Sequence, residues 1–174
     1  AMPAMLDAFD GDGNIIFWNA ECERVTGYRA DEVIGSKDIM ERLYPDPAYR
    51  DRVIESVKKA FGDFRNLEFE LTCKDGSKRT IAWSNVSGEA PIQGWQTWAI
   101  GVDVTERIRA EREIRTHESQ LAGIFRAAPV GIGVLRGRTL IELNEDFIKT
   151  LGYDRDELVG RSTRILYPTV EEFD

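Results

Sequence analysis

The chain has 174 residues, of which 42% are hydrophobic and 31% charged, and a formal net charge of −8. That apolar content suffices for a packed core and argues against wholesale disorder, while the acidic balance repels phosphate backbones and argues against nucleic-acid binding. No run approaches the roughly 18–20 apolar residues that cross a bilayer, no signal peptide opens the chain, and the distant pair Cys22 and Cys73 suggests no disulfide framework, so a reducing cytoplasm with no membrane contact in this stretch is expected.

Residues 4–10 and 14–19 read as two short strands, joined by the tight turn Gly11-Asp12-Gly13. Asn19 suits a helix N-cap, because its side-chain oxygen can accept from an early helical N–H, and Gly27 suits the stop. Residues 30–34 read as another helical turn. After Pro45 and Pro47, residues 48–61 space Val53, Val57 and Phe61 four apart, which predicts an amphipathic helix. From residue 64 the period falls to two, with Leu67, Phe69 and Leu71 alternating with Glu68, Glu70 and Thr72. Lys74-Asp75-Gly76-Ser77 is a hairpin turn. Thr80 to Val86 alternates around Ile81 and Trp83, Pro91 to Gly94 is a second turn, and residues 95–102 form a third strand. This meander completes an antiparallel sheet with the two opening strands, an α+β arrangement. Residues 105–127 are charged and helical, with Asp103 and Glu106 spaced as a capping box. Ile114 and Leu121 lie seven apart, although the heptad is imperfect.

The opening pattern then returns. Asn19, Gly27-Tyr28 and Asp31-Glu32-Val33-Ile34-Gly35 recur as Asn144, Gly152-Tyr153 and Asp156-Glu157-Leu158-Val159-Gly160, at a constant offset of 125 residues. Pro3 corresponds to Pro129, and Leu43-Tyr44-Pro45 to Leu166-Tyr167-Pro168, with small changes of spacing. Two homologous modules are present, and the second stops before its meander. A two-stranded sheet is marginal alone and has open edges. The second copy is therefore expected to lean on the linker helix, the first domain or another chain, with domain swapping as one route.

The order of strands and helices resembles the PAS domain. The Asn-capped helix ending in Thr26-Gly27-Tyr28, followed by Asp31-Glu32-Val33-Ile34-Gly35, is similar to the first half of a PAS core. Lys74-Asp75-Gly76-Ser77 resembles its late hairpin, and Gly101-Val102-Asp103-Val104-Thr105-Glu106-Arg107 resembles the end of its PAC segment. The resemblance implies a complete PAS domain over residues 3–104, a helical linker over 105–127 and the front half of a second PAS domain over 128–174. It also implies a five-stranded antiparallel sheet with a small pocket between one sheet face and the helices. PAS domains regulate histidine kinases of two-component systems, cyclic-di-GMP enzymes such as diguanylate cyclases, or transcription factors. The expected role is a non-enzymatic sensor that binds a small ligand and relays the change through its C-terminal helix. The alternative is a dimerisation module with a filled core. A homodimer through the linker helix or the partial second domain is expected.

In the PAS register Leu67, Phe69, Leu71, Ile81, Trp83, Asn85, Thr97, Ala99 and Gly101 face inward. They form either a plain core or a ligand cavity, in which Trp83 and Asn85 orient the ligand and Ala99 and Gly101 leave it room. Asn19, Glu32, Lys74, Asp103 and Thr105 are the structural and relay candidates. Glu32 and Lys74 match an ion pair that the family commonly places over the pocket mouth. Asp103 and Thr105 cap the exit helix and couple it to the sheet. Cys22 aligns with Phe147, which points to a core role, as for Cys73. The stretch Ser36-Lys37-Asp38-Ile39-Met40 lacks the cysteine motif of the light-sensing subfamily, which disfavours a covalent flavin adduct. The helix at 48–61 lacks histidine, and His117 lies in the linker, which disfavours His-ligated haem. A noncovalent small molecule or flavin stays open. Glu68 and Glu70 have no converging acid, base or nucleophile and read as a solvated face. No P-loop, zinc-spaced Cys/His set or nucleophile elbow appears.

Overall fold

The computed structural model describes residues 4–59 and 64–169. It divides into two compact units, Ala1–Ala110 and Glu111–Asp174. Pro3, Phe61 and the end of the helix expected to reach residue 61 lie outside the described residues.

The first unit opens with β1 (Met5–Phe9) and β2 (Ile15–Trp18), followed by α1 (Ala20–Thr26), α2 (Ala30–Val33), α3 (Ile39–Leu43) and α4 (Pro47–Lys59). Then come β3 (Phe64–Thr72), β4 (Lys78–Asn85), β5 (Thr97–Asp103) and the exit helix α5 (Thr105–Ala127), which runs past Ala110 into the second unit. The five strands form one antiparallel sheet in the order β2-β1-β5-β4-β3, as the sequence pattern requires. The helices between β2 and β3 bury Cys22, Val25, Val33, Ile39, Leu43 and Val53 against Met5, Trp18, Leu71, Ile81 and Trp83 of the strands. Helix α3 is absent from the sequence expectations. Its five residues are too few to show a period, and it is fixed by buried Ile39 and Leu43 and by an Arg42–Asp38 ion pair at 2.6 Å.

Asn19 organises the start of the fold. Its Oδ1 accepts from the backbone N–H of Cys22 at 2.9 Å, the expected cap, and from that of Leu6 at 3.1 Å. Its Nδ2 donates to the Ala4 carbonyl at 2.9 Å. One side chain thus caps α1 and holds β1 to it. Gly27 ends α1 at φ 76°, a left-handed conformation that favours glycine. A Cβ there would also stand 3.3 Å from Cβ of Lys74.

The second unit repeats this opening with β6 (Gly133–Arg136), β7 (Thr139–Leu143), α6 (Glu145–Leu151), α7 (Arg155–Leu158) and a 3-10 turn (Thr163–Leu166). Asn144 reproduces the bonds of Asn19. Its Oδ1 accepts from Phe147 and Ile132 N–H, and its Nδ2 donates to the Val130 carbonyl. The fully buried residues of this unit's core are Leu140, Leu143 and Leu158, with Phe147, Ile148, Tyr153 and Leu166 packed partly against them.

Candidate functional site

Strand register sets one row of side chains across the inner face of the sheet. Trp18 on β2 pairs with Asp7 on β1, Asp7 with Ala99 on β5, Ala99 with Asn85 on β4, and Asn85 with Phe64 on β3. Met40, Leu43 and Tyr44 from the end of α3, with Val53, Ile54 and Val57 from α4, stand across from this row. Between them lies a cavity of about 600 Å³, within the range of small-molecule sites.

Phe69, Leu71, Trp83, Asn85, Thr97 and Ala99 line this cavity, whereas Leu67, Ile81 and Gly101 do not. The reason differs in each case. Leu67 is half-buried opposite Trp83, and Ile81 is packed into the core with no exposed surface. Gly101 leaves no room for a ligand, because its neighbours already use the space. A Cβ at this position would come within 2.8 Å of Ile81 Cγ2 and of Trp83 Cζ3. Gly101→Ala should therefore cost about 1–3 kcal/mol as an overpacked core and tilt the Trp83 ring. Urea titration followed by tryptophan fluorescence reads both, and a variant matching the parent would show that the sheet yields freely here.

The polar groups of the cavity are few. Asn85 Oδ1 is occupied by the Ser87 backbone N–H at 2.9 Å and by the Ser87 hydroxyl. Trp18 Nε1 donates to the Tyr28 carbonyl at 3.1 Å, so its ring presents only apolar surface to the cavity. Asp7 is the exception. It is 6% exposed, lines the cavity, and its Oδ1 has no hydrogen-bond partner among the described residues. Burial pushes its carboxyl up to about 7, against the Ala99 backbone hydrogen bond, which favours the ionised form. Asp10, also lining the cavity, is held below the usual carboxylate range by Asn14, whose Nδ2 donates to Oδ2 at 3.0 Å. The sequence reading missed Asp7 although a signal was present: a lone carboxylate at an inward strand position between Met5 and Phe9. It missed Phe64 because a bulge between Phe64 and Leu67, with Asn66 at φ 55°, breaks the alternation and returns Phe64 to the inner face.

The relay candidates separate into two places. Lys74 Nζ donates to Glu32 Oε1 at 2.5 Å, and Lys74 N–H donates to the Thr26 carbonyl at 2.8 Å. Neither Glu32 nor Lys74 lines this cavity; the pair ties α2 to the β3–β4 hairpin, and Lys74 lines a second, smaller pocket with Thr26 and Arg79. As a partly exposed pair it contributes at most about 1 kcal/mol. Asp103 and Thr105 form the joint between sheet and exit helix. Asp103 Oδ1 accepts from the Thr105 N–H at 2.9 Å and from its hydroxyl, while Thr105 Oγ1 accepts from the Thr80 N–H at 2.9 Å. The expected capping box is replaced by this turn, since Glu106 instead pairs with Arg109 at 3.0 Å. Arg107 adds an ion pair to Glu68 on β3 at 2.7 Å, and Glu70 pairs with Lys78 at 2.8 Å, so the supposed solvated face carries two cross-links.

Both cysteines are buried and unbridged. Cys22 Sγ donates to the Leu6 carbonyl and Cys73 Sγ to the Val25 carbonyl, and burial pushes both thiols up, away from the reactive thiolate. His117 is exposed on α5. No described helix is long and apolar enough to cross a membrane.

Comparison with known proteins agrees with this architecture. A family model described as PAS fold matches residues 1–86, and a second, described as PAS domain, matches residues 129–174. A sensory box histidine kinase/response regulator from Burkholderia thailandensis superposes with a TM-score of 0.50 at 18% identity, over 69% of this chain and 91% of that one. The PAS domain of a Colwellia psychrerythraea protein gives 0.49 at 24% identity, over 60% and 89%. The Cronobacter turicensis RpfR quorum-sensing receptor PAS domain, solved in complex with BDSF, gives 0.48 at 21% identity, over 60% and 97%. Sensor protein TdiS of Thauera aromatica is 46% identical over 50 residues, a match spanning 29% of this chain and 9% of that protein. With two matching PAS models and the five-stranded sheet in place, the chain belongs to the PAS domain family and is a PAS sensor module.

Proposed function

We propose that the first unit senses a small molecule in the cavity beneath β1 and β5 and relays its presence through the Asp103–Thr105 joint to α5. The observation that carries this reading is the cavity itself, about 600 Å³ lined mainly by apolar side chains, with one unpartnered carboxylate oxygen. A module used only for dimerisation has no need of such a space. The cavity touches β5 at Thr97, Trp98 and Ala99, and β5 ends at Asp103, which holds the first turn of α5. Occupancy that shifts β5 therefore bears directly on the bonds anchoring the helix, a population shift between two states of the joint. In the proposed parent, residues 3–104 act as the sensor and 105–127 as the connector to the second PAS domain. The output is a histidine kinase or a cyclic-di-GMP enzyme in the cytoplasm, with pairing through α5 or the second unit.

The test joins two measurements on the purified chain. Absorbance and mass spectrometry of the denatured supernatant identify any retained molecule, and amide hydrogen exchange follows β5 and α5 with the cavity filled and empty. Filling is expected to raise protection in Thr97–Asp103 and in the first turn of α5. A ligand that binds while exchange at both segments stays unchanged would sink the relay. A chain that retains nothing and is stabilised by no compound would sink the sensor reading.

A further inference from the structure

The cavity has one polar requirement that no described residue meets. Asp7 is more than nine-tenths buried on β1, which lies between β2 and β5 in the sheet. The Ala99 N–H serves its carboxylate, but Oδ1 has no hydrogen-bond partner among the described residues. Such a buried, unpartnered acceptor costs about 1–3 kcal/mol or more, so it selects for an occupant that supplies a donor. The groups around it define which donor. Trp18 beside it on β2 and Trp83 on β4 supply aromatic surface, and Tyr44 and Phe69 also line the cavity. Aromatic faces attract cations. The charged groups lining the cavity are Asp7 and Asp10 from β1 and its following turn, and exposed Lys58 from α4. Cys22 from α1 and Tyr44 after α3 are the other titratable groups acting on Asp7, and burial favours the neutral form of both. With Asp7 ionised, the described residues lining the cavity therefore carry an excess of negative charge, in a chain of net charge −8.

We propose that the ligand is a small apolar or aromatic molecule carrying one protonated amine, whose ammonium pairs with Asp7 Oδ1 while its body fills the space between the sheet and α3–α4. This deepens the sensor reading and rests on it. Binding requires Asp7 as the carboxylate and the ligand as the ammonium. Affinity should therefore be greatest from about pH 7, where the empty site's Asp7 ionises, up to the pKa of the amine. Below that window it should fall by up to tenfold per pH unit, because a proton must leave Asp7 before the ion pair forms.

The test is calorimetric titration of the full chain with 2-phenylethylamine, 2-phenylethanol and 3-phenylpropanoate, matched in apolar body and different in head group. The amine is expected to bind at least tenfold more tightly than the alcohol at pH 8, and the acid most weakly. Asp7→Asn should erase the amine's advantage and leave the alcohol unchanged. The pH profile of the unmodified chain gives the same answer should the variant fail to fold. If the alcohol or the acid binds as well as the amine, or if amine affinity does not fall below pH 7, the ligand class is wrong while the sensor reading stands. If none of the three binds at millimolar concentration, the ligand class fails, and the sensor reading is decided separately by whether any molecule is retained by the chain or stabilises it.

Discussion

The stability gained by replacing Asp7 with Asn should grow by about 4 kcal/mol between pH 4 and pH 8 in the empty protein. The cause is the carboxyl's change of environment on folding. Its ordinary value of 3.8 applies in the unfolded chain, and burial moves it to about 7 in the folded one. The folded pKa is raised, so for an acid the effect on stability is a penalty that grows with pH. Near pH 4 the folded carboxyl is protonated and the unfolded one is only about half ionised, so the penalty is still small, below about 1 kcal/mol. As pH rises from 4 to 7 the unfolded chain loses its proton and the folded chain keeps it, which favours unfolding by about 1.4 kcal/mol per pH unit. Above pH 7 both states are ionised and the penalty is constant. Asn has no proton to lose and escapes the whole trend. Its amide stands in the same apolar site and brings its own cost of about 1–3 kcal/mol for an unmet donor, but that cost does not vary with pH. Urea titrations of both proteins at pH 4, 6 and 8 separate the two effects. A constant difference across the three would mean that water or a neighbour already satisfies Asp7.

That the site spends stability in this way bears on function. An unpaired buried carboxylate is the kind of local inconsistency that a sequence selected for stability alone removes. Its presence in the lining of a cavity, with the Trp18 indole committed elsewhere and the Asn85 oxygen occupied by Ser87, leaves Asp7 as the feature an occupant would relieve.

Much of the fold could be read from residue spacing because it rests on strong local signals. Period-two alternation marks β3 and β4, Asp75-Gly76 marks their hairpin, and Asn19 with Gly27 brackets α1. The internal repeat reinforced these, since Asn144 and Gly152 do the same work in α6. Features that depend on long-range contact were not legible. Helix α3 is shorter than two turns and is held by tertiary burial. Phe64 reaches the cavity through a bulge that no periodicity announces. Gly101 looked like free volume in the strand pattern, but the Trp83 ring from the neighbouring strand occupies it. Alternation identifies the face of a strand, whereas the side chains that meet above that face depend on register and on the helices opposite. Asp7 lies between these cases. Its inward placement was readable, and its lack of a partner was not.

Asn19→Ala is expected to destabilise the first unit by about 3 kcal/mol, several times what an exposed polar-to-alanine change costs. The change removes three bonds at once: the Oδ1 acceptor of the Cys22 and Leu6 N–H groups, and the Nδ2 donor to the Ala4 carbonyl. The cap alone is worth about 1 kcal/mol. The two bonds to β1 add a comparable amount each, because water reaches this half-buried junction only in part. Asn19→Asp keeps both acceptances and sets a negative charge at the start of α1, which the helix dipole favours, but it loses the donation and faces the Ala4 carbonyl with a second acceptor. It should fall between alanine and the parent. Denaturant midpoints of the three proteins give the order, and an alanine variant within about 1 kcal/mol of the parent would mean that the bonds to β1 contribute nothing. The same change at Asn144 should act more severely. Asn144 is 1% exposed and makes the same three bonds, but the unit it serves has, among the described residues, a fully buried core of only Leu140, Leu143 and Leu158. A core that small supplies little margin, so Asn144→Ala should abolish amide protection in Thr139–Leu143 while leaving β3, β4 and β5 protected. Loss of protection in both units together would instead mean that they unfold as one cooperative body.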